Sequence, residues 1–99
     1  MTHITSNEEF ELEVIQAVEP VMVDFWATWC GPCKMVDQEL PKLTGIKIVK
    51  VDVDDLQDIG SRFNVRAIPT AIFFKHGEEV RREIGARKAV EYQNIIDTL

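Results

Sequence analysis

Apolar positions along the chain change period several times, and each change marks an element. Ile4 falls in a short segment that fits an edge strand. Ser6 precedes Glu9 at capping-box spacing, and Phe10, Val14, Ile15 and Val18 follow at helical intervals. A helix with one apolar face is therefore predicted as far as Glu19-Pro20. Val21 to Ala27 is apolar on both alternating sets of positions except at Asp24, the pattern of a central strand covered on both sides. After Thr28-Trp29-Cys30-Gly31-Pro32-Cys33, the residues Val36, Leu40 and Leu43 return to helical spacing. They predict one helix from about Gly31 to Leu43, stopped near Gly45. Pro41 cannot donate to the Asp37 carbonyl, so a kink is expected near Asp37.

Ile46 to Val53 alternates β-branched residues with Lys47, Lys50 and Asp52 and reads as a strand. Asp54 or Asp55 is placed to cap a short helix carrying Leu56, Ile59 and Phe63. Ile68-Pro69-Thr70 leads into the strand Ala71–Phe74, His76-Gly77 makes a turn, and Glu79–Ile84 has the polarity of an edge strand. Gly85 breaks that strand. A last helix from about Arg87 is expected to turn Val90, Ile95, Ile96 and Leu99 to the core. The order β-α-β-α-β-α-β-β-α predicts parallel strands early, an antiparallel hairpin late, and an α/β fold with a central mixed β-sheet flanked by α-helices.

Composition narrows the function classes. A length of 99 residues suits one domain spanning 1–99, and 45% hydrophobic residues argue against disorder. A net charge of −6 disfavours non-specific nucleic-acid binding, because Arg81-Arg82 and Arg87-Lys88 are interspersed with acids. No apolar stretch is long enough to cross a membrane, and the N-terminus lacks the pattern of a signal peptide, so a cytoplasmic location is expected. Two cysteines are too few to staple a secreted mini-protein. Their spacing leaves metal binding or redox chemistry.

Cys30 and Cys33 share a face in the first turn of a helix, within reach of a disulfide. The preceding strand puts Cys30 at the helix N-terminus, where free N–H groups and the helix dipole favour a thiolate. Pro32 fits the first turn because its missing N–H is not needed there. Cys33 lies further in and is expected to be the more buried of the pair. Half a zinc site is the competing reading, but a closed site needs four ligands, and only His3 and His76 remain. Asp24 is a lone carboxylate among apolar neighbours. Burial without a partner would raise its pKa.

The run Val23-Asp24-Phe25-Trp26-Ala27-Thr28-Trp29-Cys30-Gly31-Pro32-Cys33-Lys34-Met35 resembles the active-site segment of thioredoxins. Ile68-Pro69-Thr70 is similar to that family's cis-proline loop, and Ile84-Gly85-Ala86 to its substrate-facing turn. The resemblance covers nearly the whole chain in order. It implies the thioredoxin fold and reduction of protein disulfides, with Cys30 as nucleophile and Cys33 as resolving thiol. It implies that Asp24 takes a proton from Cys33 through water and that Lys50 lies near this acid. For Lys50 the residues alone leave a salt bridge or a surface position equally open. X–Pro bonds are usually trans, and only the resemblance makes Pro69 cis, exposing the Ile68 backbone for an extended substrate to add as a strand. Trp29, Gly31, Pro32, Ile68, Pro69, Ile84, Gly85 and Ala86 would form the docking surface, with Trp26 packed beneath.

The same resemblance implies no cofactor or metal beyond a redox-active Cys30–Cys33 disulfide. It also implies disulfide-containing client proteins, a thioredoxin reductase as electron donor, and a monomer. An oxidase or isomerase of this fold is disfavoured because Pro32 adds no cation between the cysteines. Gly31-Pro32 argues against a glutathione-fed enzyme. A non-enzymatic binding module would use the same apolar surface. Two features depart from the family. Bacterial thioredoxins commonly carry proline at the position of Gln38, whereas here proline appears as Pro41, and the stretch from Cys33 to Lys50 is shorter by about one helical turn.

Overall fold

The structure, a computed structural model, describes residues 1–99. In chain order it contains β1 (Thr2–His3), α1 (Asn7–Phe10), β2 (Val21–Trp26), α2 (Gly31–Glu39), β3 (Lys47–Asp52), α3 (Gln57–Arg62), β4 (Thr70–Lys75), β5 (Glu78–Ile84) and α4 (Ala89–Ile96). The five strands form one sheet in the order β1-β3-β2-β4-β5. β1, β3 and β2 run parallel, while β4 is antiparallel to both β2 and β5. This is the expected mixed α/β sheet, with β2 at its centre.

Strand pleating sends alternate residues of β2 to opposite faces. On one face Val21, Val23 and Phe25 join Val49, Val51, Ile72 and Phe74 beneath Phe10 and Val14 of the first helical segment and Ile59 of α3. The Phe10, Phe63 and Phe74 rings meet there at centroid separations of 5.2–6.2 Å. On the other face Met22, Ala71 and Phe73 pack against Val36 and Leu40, and against Tyr92, Ile95 and Ile96 of α4.

Local chemistry explains where the elements begin and end. Ser6 caps α1, its Oγ accepting the Glu9 N–H at 3.0 Å. The Glu9 carboxylate reaches back to the Thr5 N–H at 2.6 Å, one residue before the cap. A π-helical turn over Glu11–Ile15 follows, closed by the Gln16 N–H on the Glu11 carbonyl at 2.8 Å. The helix thus stops before Val18, which is 69% exposed rather than on the apolar face predicted for it. Asp54 and Asp55 do not cap α3. Asp52 Oδ1 instead accepts both of their N–H groups, and Leu56 opens the helix without a side-chain cap.

The α-helix predicted through Leu43 ends at Glu39 and tightens into a 3-10 turn over Leu40–Lys42. Pro41 offers no N–H to the carbonyl four residues back, and the Leu43 N–H closes the turn on the Leu40 carbonyl at 3.1 Å. Leu43 is extended rather than helical but still packs on the core. In α4 the buried stripe is Tyr92, Ile95 and Ile96, with Leu99 half-buried. Val90, expected in the core, is exposed because it lies two residues from Tyr92, on the opposite side of the helix. The β4–β5 hairpin turns through His76 and Gly77, both at positive φ (51° and 77°), as a two-residue turn of this hand requires. A Cβ at Gly77 would also collide with the Ile15 carbonyl oxygen.

Candidate active site

β2 ends beneath a short loop, and that loop delivers Cys30 as the N-cap of α2. The Cys30 N–H donates to the Ala27 carbonyl at 3.2 Å, which folds the loop back over the strand end. Cys30 has extended backbone dihedrals (φ −87°, ψ 108°), and its Sγ accepts the Cys33 N–H at 3.2 Å. The sulfur therefore occupies the place that a serine or aspartate oxygen takes in an ordinary cap. Cys30 and Cys33 are joined by a disulfide with their Cα atoms 5.3 Å apart. Cys33 is buried as expected, at 2% exposed, but Cys30 is buried with it, at 3%, so the expected contrast in exposure is not seen. Ala27, Trp26, Val53 and Ile68 pack around the bonded pair and cover both residues. What distinguishes the two thiols here is the helix position, not accessibility.

Asp24 and Lys50 face each other in register across β2 and β3. Lys50 Nζ donates to Asp24 Oδ2 at 2.8 Å, and both side chains are buried. The burial of Asp24 is as expected; the residues alone gave it no partner, whereas the resemblance put Lys50 near it, and that placement is the one the structure has. The Asp24 pKa is raised, mainly by desolvation and against the pull of Lys50. Its Oδ1 has no hydrogen-bond partner among the protein atoms. For Lys50, desolvation acts to lower the pKa, but the attractions of Asp24 and Asp37 together outweigh it, and the pKa is raised. The two directions are compatible because Lys50 has two carboxylates to hold it charged, whereas Asp24 has one ammonium. Lys50 also lies 5.3 Å from the Trp26 ring centroid, a cation–π contact beneath the disulfide.

The remaining candidate residues gather around the cysteines. Trp29 is 69% exposed, and its indole N–H donates to Asp54 Oδ2 at 2.8 Å, which fixes the ring's polar edge while leaving its apolar surface open. Gly31 and Pro32 are exposed on the first turn of α2. The Ile68–Pro69 bond is cis, as the family resemblance implied. Ile68 is half-buried and packs against the cysteine cluster. The Gly85 N–H donates to the Pro69 carbonyl at 2.8 Å and ties the turn after β5 to this loop. Ile84 is 55% exposed, while Gly85 and Ala86 are half-buried.

Two participants were missed from the sequence. Asp54 was assigned to a helix cap and instead orients Trp29. Asp37 was noted only for its carbonyl, yet its carboxylate contacts Lys50 Nζ directly. The available signal was spacing, because Asp37 lies four residues after Cys33, on the stripe of α2 that faces the sheet.

A mixed sheet that sets a Cys-Gly-Pro-Cys disulfide on a helix N-terminus, beside an exposed tryptophan and a cis-proline loop, defines a thiol–disulfide oxidoreductase. Comparison with known proteins supplies the family. The Thioredoxin family model matches residues 1–98. The chain is similar to thioredoxin C-2 of Corynebacterium nephridii, with 41% identity covering 94% of this chain and 91% of the relative. It is similar to the thioredoxin of Haemophilus influenzae, with 40% identity covering 93% and 91% of the two. Among solved structures it resembles oxidized mitochondrial thioredoxin 3 of Saccharomyces cerevisiae, with a TM-score of 0.90, 36% identity, and coverage of 100% of this chain and 95% of that one. The Malassezia sympodialis thioredoxin gives a TM-score of 0.89 at 36% identity, covering 99% and 89%. The chain belongs to the thioredoxin family and is a protein-disulfide reductase whose substrates are disulfide-containing client proteins.

Proposed function

We propose that Cys30 is the attacking thiol and Cys33 the resolving one. The observation that carries this reading is the capping geometry, in which Cys30 Sγ receives the Cys33 N–H at 3.2 Å at the positive end of α2. A free N–H and a helix dipole favour negative charge on that sulfur, and it is the thiolate that attacks disulfides. In the reduced enzyme the Cys30 thiolate attacks one sulfur of a client disulfide. The client S–S bond breaks, its other sulfur leaves as a thiolate, and a Cys30–client mixed disulfide forms. Cys33 then gives its proton, through water, to the Asp24 carboxylate and attacks Cys30 Sγ. The mixed bond breaks, the second client sulfur leaves as a thiolate, and the Cys30–Cys33 disulfide is restored. Two electrons pass from the enzyme dithiol to the client. Lys50 holds Asp24 in place and opposes the desolvation of its charged form.

The client docks as an extended segment along Ile68 and Pro69, between Trp29 on one side and Ile84, Gly85 and Ala86 on the other, with Gly31 and Pro32 exposed beside the buried disulfide. The backbone N–H and C=O of Ile68 make no backbone hydrogen bond within the chain, so both are free to pair with an added strand. A thioredoxin reductase returns electrons to the Cys30–Cys33 disulfide, with no further cofactor or metal, and the protein works as a cytoplasmic monomer covering one domain over 1–99. No helix is long and apolar enough to cross a membrane.

Trapping tests the assignment of the thiols. Cys33→Ser should accumulate mixed disulfides with client proteins, and Cys30→Ser should accumulate none. Trapping with Cys30→Ser alone would reverse the two roles. Turnover of insulin with NADPH and a thioredoxin reductase should exceed turnover with glutathione, and the opposite preference would reject the proposed electron donor.

A further inference from the structure

One buried ammonium serves two carboxylates of unequal exposure. Lys50 Nζ donates to Asp24 on β2 and to Asp37 on α2. The side chains of Asp24 and Lys50 are 1% and 7% exposed, whereas that of Asp37 is 47% exposed. Lys50 and Asp37, with Met1 and His3, line an open cavity of about 350 Å³. The cluster therefore runs from the sheet interior to solvent, with Lys50 as its middle member.

We propose that Asp37 is a positioning residue for the resolution step: by sharing the Lys50 ammonium it keeps that cation from fully neutralising Asp24, and so keeps Asp24 the stronger proton acceptor. The proposal rests on the role assigned above to Asp24. Two physical effects act in the same direction. A second carboxylate on the ammonium draws donor density away from Asp24. Its negative charge also repels a negative charge on Asp24 across a partly desolvated gap, where charges interact more strongly than in water. Lys50 from β3 contacts Asp24, and Asp37 from α2, His3 from β1 and Tyr92 from α4 are the other titratable groups that interact with it through charge. Burial acts most strongly to lift the Asp24 pKa and Asp37 adds to it, while Lys50 and His3 oppose it.

Asp37 touches neither sulfur, so it acts through Lys50 and Asp24 alone. The position belongs to the stripe of α2 where helical spacing would place an apolar side chain, between the buried Val36 and Leu40 and one turn after Cys33. Its exposure means that a neutral side chain is accommodated without opening the core.

The test is an NMR titration of the Asp24 carboxyl in the oxidised protein, comparing wild type with Asp37→Asn, Asp37→Ser and Asp37→Glu. Both neutral variants should lower the Asp24 midpoint by about half a pH unit or more, and Asp37→Glu, which keeps the charge, should restore it. A midpoint that is unchanged or raised in the neutral variants overturns the proposal, and so does an equal fall in Asp37→Glu. Stopped-flow resolution of a Cys30-linked mixed disulfide should follow the same order, its pH midpoint moving down in Asp37→Asn. A profile that is moved by Asp24→Asn but not by Asp37→Asn overturns Asp37 alone. A profile that Asp24→Asn leaves unmoved overturns the role of Asp24, and the positioning role of Asp37 with it.

Discussion

The two faces of the central sheet are built from the same strands and do different work. On the face under α1 and α3, β2 presents Val21, Val23 and Phe25, and β3 presents Val49 and Val51, all fully buried and all apolar. On the face under α2 and α4, the alternate residues are Met22 and Asp24 of β2, Ile48 and Lys50 of β3, and then Trp26 below the disulfide. A one-residue step along β2, from Val23 to Asp24, moves from a dry core to a buried ion cluster. The face where nothing ionises carries the larger of the two buried apolar clusters, 11 residues against 8. The buried ionisable pair, Asp24 and Lys50, lies on the other face, where Trp26 links it to the cysteine cluster. A buried ion pair is weak support for a fold, which accords with the role proposed above for Asp24 and Lys50 in the chemistry.

Truncation on the dry face should produce the largest effect on stability and the smallest on chemistry. Phe25→Ala or Phe74→Ala removes a fully buried ring and should cost about 3–5 kcal/mol in denaturant unfolding. Disulfide reduction per folded molecule should stay near wild type. A comparable loss of reduction per folded molecule would erase the division between the faces.

Lys50→Met probes the other face. It leaves Asp24 buried with no cation, so the variant should lose about 1–3 kcal/mol at neutral pH. The loss should shrink in acid, where Asp24 is protonated. Because the Lys50 pKa is raised, the wild-type contribution of this lysine is fully present below its ordinary value of 10.5 and fades as pH rises through the higher folded value. Denaturation curves at acid, neutral and alkaline pH read both effects.

A smaller change of opposite sign is expected for Asp24→Asn. With the folded pKa of Asp24 above its ordinary value of 3.8, wild-type stability falls as pH rises from there through the raised value. The variant lacks that fall. It should match wild type in acid and be modestly more stable at neutral pH, with Asp37 still holding Lys50. Equal stability of the two proteins across that range would contradict the raised pKa. The least effect is expected from Pro41→Ala, which restores an N–H to the 3-10 turn that follows α2. It should lengthen the helix and shift stability by about 1 kcal/mol or less, with disulfide reduction unchanged. A large loss of reduction would show that the far end of α2 reaches the thiols.

The same contrast explains what could be read from the chain. The dry face was legible because short runs apolar on both alternating sets of positions, such as Val21–Ala27 apart from Asp24, and Ala71–Phe74, fit strands covered on both sides. The thiol turn was legible because Cys-Gly-Pro-Cys combines a cap, a first-turn proline and a bonded pair at one place. Pair identities on the ionic face were not. Spacing reports which face Asp24 and Lys50 occupy but not that their strands are neighbours, so Asp24 read as unpartnered. The Asp37 side chain drew no reading at all, because spacing within α2 does not report that Lys50 of β3 lies beside it. Element ends failed where tertiary geometry decided them. The first helical segment stopped at a π turn before Val18, and Pro41 converted the end of α2 to a 3-10 turn. Cys30 is the instructive case at the site. Position in the helix follows from sequence, but burial depends on Ile68, Ala27 and Trp26 closing over the bonded pair.

The claim that the ionic face serves the chemistry of resolution is tested most directly by measuring the two half-reactions separately in Asp24→Asn. Formation of the Cys30–client mixed disulfide needs no proton from Cys33, so its rate should match wild type. Resolution by Cys33 should slow by about tenfold or more, within the range that positioned proton acceptors contribute. Equal slowing of both steps, or of neither, would contradict it.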